Sequence, residues 1–232
     1  MKKRIDTVLF DFWITLVKID SVQIPIRRKY FSYYLSEEAA IPAEKTLQAY
    51  EIADAVANNL REKHNKEVSG SHFIYIFAKI LGIDDRLRPE LEKLYSESVL
   101  SLDLKLREGA IEVLDALHQN YKIGLISNTS VGLVVKTLLA KFGIENYFDV
   151  VVLSDEVGIR KPEPYIFQYA LNKIGSYPEK SIFVGDSPYL DVLGAKASGL
   201  YSVFLGNLEN FPDGIPRPDL AISSLGLLID RI

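Results

Sequence analysis

The chain has 232 residues, of which 48% are hydrophobic and 25% charged, and its formal net charge is −4. This composition is typical of a folded globular protein and excludes an intrinsically disordered chain. A mildly acidic chain without a block of basic residues argues against a nucleic-acid partner. The absence of cysteine excludes disulfides, thiolate metal sites and a cysteine nucleophile.

Apolar stretches in the sequence are all shorter than the roughly eighteen residues of a membrane span. The short apolar run behind the basic start has no signal-peptide cleavage pattern. We therefore expect a cytoplasmic protein without a membrane partner. The sequence makes no prediction of the oligomeric state.

The first predicted element is a buried strand that begins at Val8 and ends at Asp11. Its short run of β-branched and aromatic residues is typical of a strand covered on both faces. An aspartate at a strand end often serves as a turn former. In open α/β sheets, however, the carboxyl ends of the strands are where ligands bind. The rest of the chain decides between these interpretations.

Residues 17–105 have apolar residues at helical spacing and almost no strand signal. The pattern predicts amphipathic helices over Arg28–Leu35, Ala43–Leu60, His72–Leu81 and Arg88–Leu100. Breaks containing proline or glycine separate the helices. Four helices of this length form a small bundle.

From Leu106 onward, strands and helices alternate, which is the pattern of a parallel sheet with crossover helices. The predicted helices are Gly109–Gln119, Val131–Phe142, Pro164–Ile174 and Ser224–Ile232. The predicted strands are Tyr121–Ile126, Phe148–Leu153, Ser181–Val184, Tyr201–Leu205 and Leu220–Ile222. Ser187 is expected to cap a further helix, with Pro188 at its first position.

The expected fold is α/β: a doubly wound parallel sheet with an inserted helical-bundle cap. Residues 1–16 and 106–232 would form the Rossmann-like core and residues 17–105 the cap. The chain crosses between the two parts at Leu16–Asp20 and Leu104–Arg107. We expect these segments to act as hinges.

Polar residues follow the predicted strands at each place where a strand gives way to a loop. They are Asp11, Thr15, Ser127, Asn128, Lys161, Asp186 and Asp191. Parallel strands point their carboxyl ends the same way, so these groups are expected to converge. Three carboxylates together would raise each other's pKa unless a hard cation such as Mg²⁺ neutralised them. Serine, lysine and loop amides could then hold a phosphate beside a carboxylate nucleophile.

Four motifs, in order along the chain, resemble those of the haloacid dehalogenase superfamily of hydrolases. The family's first motif, Asp-x-Asp-x-Thr, corresponds to Asp11-Phe-Trp13-Ile-Thr15. Its second, an apolar strand ending in Ser or Thr, corresponds to the segment that ends in Ser127-Asn128. The third corresponds to Lys161-Pro-Glu-Pro, and the fourth to Gly185-Asp186-Ser187 followed by Asp191. The helical insertion after the first motif resembles the family's subclass I (C1-type) cap.

This resemblance implies a nucleophile and a Mg²⁺ site. Asp11 would be the nucleophile and also a metal ligand. The backbone carbonyl of Trp13 and the carboxylate of Asp186 would complete the protein ligands. Asp191 would orient the metal's water or pair with Lys161.

The resemblance also implies how a substrate is held. Ser127 and Lys161 would bind the oxygens of the transferred group. Thr15, Asn128 and Trp13 would lie at the substrate, with Thr15 and Asn128 holding the loops. The expected substrate is a small phosphorylated metabolite.

Trp13 stands where the family's phosphatases have a second aspartate that protonates the leaving oxygen and then activates water. An indole has no proton to exchange near neutrality. Loss of general acid–base help typically costs about 10²–10⁴-fold. Ile14 likewise replaces a residue that is usually glycine or another small one.

Three functions remain open at this point. The first, which the retained metal ligands favour over the other two, is a Mg²⁺-dependent phosphohydrolase acting on activated substrates. The second is a 2-haloacid dehalogenase, since those family members tolerate an aromatic residue here, although they work without metal and carry a serine in place of Asp186. They use a cap arginine for the substrate carboxylate, for which Arg27 and Arg28 are candidates by type. The third is a catalytically reduced protein that keeps the Mg²⁺ and phosphate pocket for binding.

Overall fold

The structure is a computed structural model that describes residues 5–19, 29, 32–37 and 40–232. Its strands are β1 Thr7–Phe10, β2 Val17–Lys18, β3 Lys105–Leu106, β4 Lys122–Ser127, β5 Val150–Leu153, β6 Ser181–Gly185, β7 Tyr201–Leu205 and β8 Leu220–Ile222. Six of them form one sheet in the order β5-β4-β1-β6-β7-β8. Every neighbouring pair in this sheet is parallel. The prediction of a doubly wound parallel sheet is confirmed.

Alternate residues of the central strands face opposite layers of the core, as the period of a strand requires. Val8 and Phe10 pack into one apolar cluster, with Val184 of β6. Leu9 faces the opposite cluster, which contains Phe183 and Phe167. Both faces of β1 are therefore covered. The loop that follows β1 lies at the point where the order of the strands reverses, which is where sheets of this kind bind ligands.

The helices agree closely with their predicted positions. They are α1 Ala43–His64, α2 Gly70–Leu81, α3 Arg88–Leu100, α4 Ala110–His118, α5 Gly132–Lys141, α6 Ser154–Val157, α7 Pro164–Ile174 and α8 Gly194–Ala197. Local signals explain the ends of α2: the Ser69 side chain accepts a hydrogen bond from the His72 amide, and Gly82 ends the helix in the left-handed region. Residues 32–37 are also helical. Within the predicted helix Arg28–Leu35, residues 28, 30 and 31 lie outside the described residues, as does Arg27.

Some predicted elements were wrong. In place of the predicted closing helix Ser224–Ile232 there is only a 3-10 turn at Leu225–Leu228. This turn is held because Leu225 and Leu228 are buried in the core. The short helix α6 was not predicted, since four residues carry no helical period. After β6, the Ser187 cap and the following Pro188 are confirmed, but the first turns are π-helical before α8 begins.

Residues between β2 and β3, which we call the cap, have their own apolar cluster. Its aromatic members include Tyr50, Phe73, Phe77 and Tyr95, and the rings of Phe73 and Tyr95 are stacked with their centroids 5.0 Å apart. The cap joins the core through the antiparallel pair β2–β3, which the sequence did not predict. The predicted hinges fall on this pair, apart from Asp20, which lies outside the described residues. The domain boundaries and the hinge motion stay predictions.

Candidate active site

The sequence-predicted polar residues come together at the carboxyl edge of β1, β4 and β6. A cavity of about 290 Å³ is lined by Asp11, Trp13, Asn128, Lys161, Asp186 and Asp191, among others. Ser127 and Thr15 are fully buried and do not belong to its lining. The predicted convergence of the strand ends is therefore confirmed, with these two residues placed behind the cavity wall.

Lys161 is the buried cation of this site. Its ammonium nitrogen Nζ donates to Asp11 Oδ1 at 2.6 Å and to Asp191 Oδ1 at 2.7 Å. Only 1% of its side chain is exposed. The expected pairing of Asp191 with Lys161 is present in the structure, and the same ammonium also holds the predicted nucleophile.

Asn128 positions the loop that carries Lys161. The Asn128 amide group Nδ2 donates to the Lys161 carbonyl at 3.0 Å, and its oxygen Oδ1 accepts from the Lys161 amide at 2.9 Å. Because both bonds go to the backbone, they set where the loop starts without using the ammonium. Asn128 thus holds two loops of the site together, as expected.

The fourth motif supplies two carboxylates from one turn. Thr15 Oγ1 donates to Asp186 Oδ1 at 3.1 Å, and the Ser187 amide donates to Asp191 Oδ2 at 2.9 Å. A Cβ on Gly185 would lie 2.4 Å from the Asp191 side chain. Glycine is therefore required at this position so that the Asp191 carboxylate can fold back over the strand end.

Burial and crowding shift the charges in the site. Burial raises the pKa of Asp11 to about 7, with Lys161 opposing the shift and Asp191 adding to it. Burial and the nearby Asp191 likewise raise the pKa of Asp186, against the hydrogen bond from Thr15. Burial acts to lower the pKa of Lys161, but Asp11 and Asp191 outweigh it, so the pKa is raised and the ammonium stays charged.

The charge balance of this site fits a divalent cation. Oxygens of Asp11, Asp186 and Asp191 lie within 4.8 Å of one another. The ammonium of Lys161 contacts two of these carboxylates, Asp11 and Asp191, and the guanidinium of Arg160, which also lines the cavity, is paired with Glu67. A hard oxygen donor set of this kind suits Mg²⁺. We call Asp11, Asp186, Asp191 and Lys161 together the acidic site.

Ser127 ends β4 beside the acidic site with an unused donor. Its hydroxyl Oγ is buried and has no hydrogen-bond partner among the described residues. A buried polar atom without a partner is uncommon and costs about 1–3 kcal/mol. A bound anionic group could satisfy this hydroxyl.

A family model described as a haloacid dehalogenase-like hydrolase matches residues 5–199. The chain belongs to this family. Pyrimidine 5′-nucleotidase YjjG of Escherichia coli (strain K12) is 38% identical over 120 residues, which cover 50% of this chain and 52% of that protein. A glyceraldehyde 3-phosphate phosphatase of Methanothermobacter thermautotrophicus is 38% identical over 97 residues, 41% of this chain and 42% of that protein. The chain thus matches about half the length of these curated relatives.

Solved structures resemble this haloacid dehalogenase-like hydrolase along nearly the whole chain. A 2-haloacid dehalogenase from Pseudomonas syringae pv. Tomato DC3000 superposes with a TM-score of 0.75 at 19% identity and covers 97% of both chains. A HAD phosphatase from Thermococcus onnurineus has a TM-score of 0.69 at 25% identity, covering 98% of this chain and 97% of that one. At these identities the likeness establishes the fold, and the chemistry must be argued from the site.

The first loop of this hydrolase carries an unusual backbone. Ile14 has a φ of 66°, in the left-handed region that β-branched residues rarely adopt. Arg107, which sequence reasoning missed, holds this loop: its Nε donates to the carbonyls of Ile14 and Thr15 at 3.0 Å each, and its Nη2 also contacts the Ile14 carbonyl. Nothing in the sequence around Arg107 marks it as a partner of residues so far away.

A second buried ion cluster lies between the cap and the core, and we call it the cap–core tie. Glu67 is 2% exposed and its Oε1 lies 2.9 Å from Arg61 Nε. Its Oε2 accepts from Ser154 Oγ at 2.7 Å and lies 3.5 Å from Arg160 Nη1. Sequence reasoning missed this cluster, although the position of Arg160 directly before Lys161 was an available signal.

The backbone reinforces the cap–core tie. The Glu67 amide donates to the Gly158 carbonyl at 3.1 Å, and the Arg160 amide donates to the Asn65 carbonyl at 3.1 Å. The cap segment that follows α1 is therefore attached directly to the loop that carries Lys161.

Among the described residues, no helix has the length and apolar content to cross a membrane.

Proposed function

We propose that this haloacid dehalogenase-like hydrolase is a Mg²⁺-dependent phosphohydrolase acting on a small phosphorylated metabolite. The observation that carries the proposal is the excess of carboxylates in the acidic site, where the one buried ammonium contacts two of the three and Arg160 of the cavity lining is paired with Glu67. A metal-free haloacid dehalogenase would have to accept an anionic substrate into this negative site, at a cost in repulsion. A phosphate group bound with Mg²⁺ avoids that cost.

In the proposed reaction, Asp11 is the nucleophile. Lys161 holds Oδ1, and the other carboxylate oxygen attacks phosphorus, forming an aspartyl phosphate as the bond to the leaving oxygen breaks. Water then cleaves the acyl phosphate and regenerates the carboxylate. The Lys161 ammonium, which lines the cavity, would hold the phosphate oxygens, and the family's second motif assigns the buried Ser127 hydroxyl the same role.

Asp11, Asp186 and the Trp13 carbonyl would hold Mg²⁺, with Asp191 positioned by Lys161 and the Ser187 amide. Bound Mg²⁺ neutralises charge on the phosphate and on the carboxylates. Thr15 orients Asp186 through its hydrogen bond. These roles follow the family motifs residue by residue.

Relatives that are named as phosphatases support the same chemistry. Besides the nucleotidase and the glyceraldehyde 3-phosphate phosphatase, they include the pyrophosphatase PpaX of Halalkalibacterium halodurans, which is 32% identical over 128 residues. These matches cover about half of this chain, so they support the reaction class and leave the substrate open.

The test is hydrolysis of an activated aryl phosphate with and without Mg²⁺, beside an Asp11→Asn variant. We expect phosphate release that requires both Mg²⁺ and Asp11. The same samples are heated with and without Mg²⁺, and we expect the metal to raise the Tm of the wild type but not of an Asp186→Asn variant. Folded protein that neither binds Mg²⁺ nor releases phosphate would overturn the proposal.

Dehalogenation is the second candidate, and Trp13 is the observation that favours it. A halide leaves without protonation, so a 2-haloacid needs no acid at this position. Chloride release from 2-haloacids that continues in EDTA would establish this function instead. No activity in either assay, together with Mg²⁺ binding, would favour the catalytically reduced protein that keeps its pocket for binding.

A further inference from the structure

A second cavity of about 250 Å³ opens beside the acidic site, and its side chains are largely apolar. We call it the apolar cavity; its apolar lining residues are Trp13, Ile19, Val99, Leu102, Val131 and Val134. Trp13 and Asn128 line both this cavity and the cavity of the acidic site. The apolar cavity therefore borders the cavity of the acidic site at Trp13 and Asn128.

The polar cavity on the other side of Asn128 is a poorer place for a leaving group. Arg61, Glu67 and Arg160 line it, and these charges are already paired with one another in the cap–core tie. An apolar group placed there would face charged and polar side chains and would gain few apolar contacts. The apolar cavity offers such contacts.

Trp13 also limits the chemistry of the leaving group. It occupies the position from which family phosphatases protonate the leaving oxygen, and an indole cannot supply that proton. The leaving oxygen must therefore depart as an anion that is stable without immediate protonation. Phenol-like hydroxyls meet this requirement far better than alkyl alcohols do.

We propose that the substrate is the phosphate monoester of an apolar compound with an acidic hydroxyl group, such as an aryl phosphate, whose apolar part fills the apolar cavity. This proposal rests on the proposed phosphohydrolase function. An Asp11 oxygen forms the new bond to phosphorus. The bond from phosphorus to the aryl oxygen breaks, and both of its electrons leave with the aryloxide. The aryloxide takes its proton from solvent after departure.

The size of the apolar cavity suits such a group. An apolar cavity of about 150 Å³ in another protein binds benzene, so this one accommodates a substituted aromatic ring. Burial of one ring is expected to strengthen binding by about tenfold or more at roughly 25 cal/mol per Å² of apolar surface.

Trp13 provides a direct measurement, because it is the only tryptophan in the chain. Its fluorescence is titrated, in the presence of Mg²⁺, with methylphosphonate and with benzylphosphonate, which carry the same anionic head and resist hydrolysis. We expect a Kd for benzylphosphonate that is lower by about tenfold or more. This comparison uses the wild-type protein and needs no turnover.

Two variants of α3 test the location. Val99→Phe places a ring into the apolar cavity and is expected to remove most of the preference for benzylphosphonate. Leu100→Phe is the matched control, because Leu100 is the next residue of the helix and lines the neighbouring groove but not the apolar cavity. We expect it to keep the wild-type ratio of the two Kd values.

Acetyl phosphate separates failure of this proposal from failure of the proposed function, since it is activated but has no bulky apolar group. If it is hydrolysed in an Asp11-dependent way while the two phosphonates bind equally or not at all, the apolar substrate class is wrong and the phosphohydrolase stands. Equal effects of Val99→Phe and Leu100→Phe would overturn the location. No Asp11-dependent hydrolysis of acetyl phosphate or of aryl phosphates would overturn both.

Discussion

The hydrolase buries charge in two adjacent places, and the two are balanced differently. In the cap–core tie, one carboxylate, that of Glu67, faces two guanidinium groups and receives hydrogen bonds from Arg61 and Ser154. In the acidic site, three carboxylates are clustered, one ammonium contacts two of them, and the Ser127 hydroxyl has no partner within the part of the chain that the structure describes. Burial of charge alone therefore does not mark function. Both places have unequal numbers of charges, and the acidic site differs in having clustered carboxylate oxygens that suit a cation and a buried hydroxyl that a bound anion would satisfy.

Asp11→Asn is the strongest test of this comparison. It removes the nucleophile, so turnover is expected to fall by on the order of 10⁴-fold or more. It also removes one negative charge from a crowded site, so the free energy of unfolding of the metal-free protein is expected to rise by about 1 kcal/mol. Assays and urea unfolding of the same preparation measure both. A large loss of stability would show that the acidic site is a structural ion cluster.

Glu67→Gln is expected to lower stability, whereas Asp11→Asn is expected to raise it. Two arginines lose their buried partner, which is expected to lower the free energy of unfolding by about 3 kcal/mol. Urea unfolding measures this, with Asp85→Asn as the control for the exposed Lys79–Asp85 pair, in which both side chains are more than half exposed. We expect the control to change stability by less than about 1 kcal/mol. Equal effects would contradict a structural role for the tie.

Both regions also contain a non-glycine residue in the left-handed region, Ile14 with φ 66° and Asn65 with φ 49°. Asparagine tolerates this conformation, whereas for isoleucine it costs roughly 1–2 kcal/mol. Since Ile14 is 47% exposed, Ile14→Gly is expected to raise the free energy of unfolding by about 1 kcal/mol. Asn65→Gly is the matched control, with an expected change of a few tenths of a kcal/mol. A loss of stability in Ile14→Gly would contradict strain at the acidic site.

Asp219 is a paired carboxylate outside both clusters, so its effect is expected to be the smallest. It accepts from Lys196 Nζ at 2.6 Å and from the Ser202 amide at 2.8 Å. Burial acts to raise its pKa, but these hydrogen bonds outweigh burial and lower it. The native state therefore favours the ionised form, and the stabilisation is fully present above the ordinary pKa of 3.8 and lost as the pH falls through the lowered value.

The measurement for Asp219 is urea unfolding of wild type and Asp219→Asn at pH 7 and at about pH 3. We expect the variant to be less stable by up to about 1 kcal/mol at pH 7 and the difference to shrink at the lower pH. Asp213→Asn, at an exposed position, controls for the loss of a surface charge. A difference that grows as the pH falls would contradict the pairing.

Local patterns were sufficient for most of the core. The bounds of α3 and α7 match their predictions because proline starts and a clear apolar period mark them. The motif residues were located because each directly follows a strand, and parallel strands bring those positions together. The pair β2–β3 was missed, since two residues in each strand show no period.

The sequence by itself determined the fold class, the family and the residues of the acidic site, because strand ends and motif spacing are local properties of the chain. Only the tertiary structure decided how the charges are balanced. Lys161 reaches Asp11 across 150 residues of sequence, and Ser154 reaches Glu67 across 87. No local pattern encodes which distant groups share a buried volume, so the cap–core tie, the strained Ile14 and the apolar cavity beside Trp13 became visible only in the folded molecule.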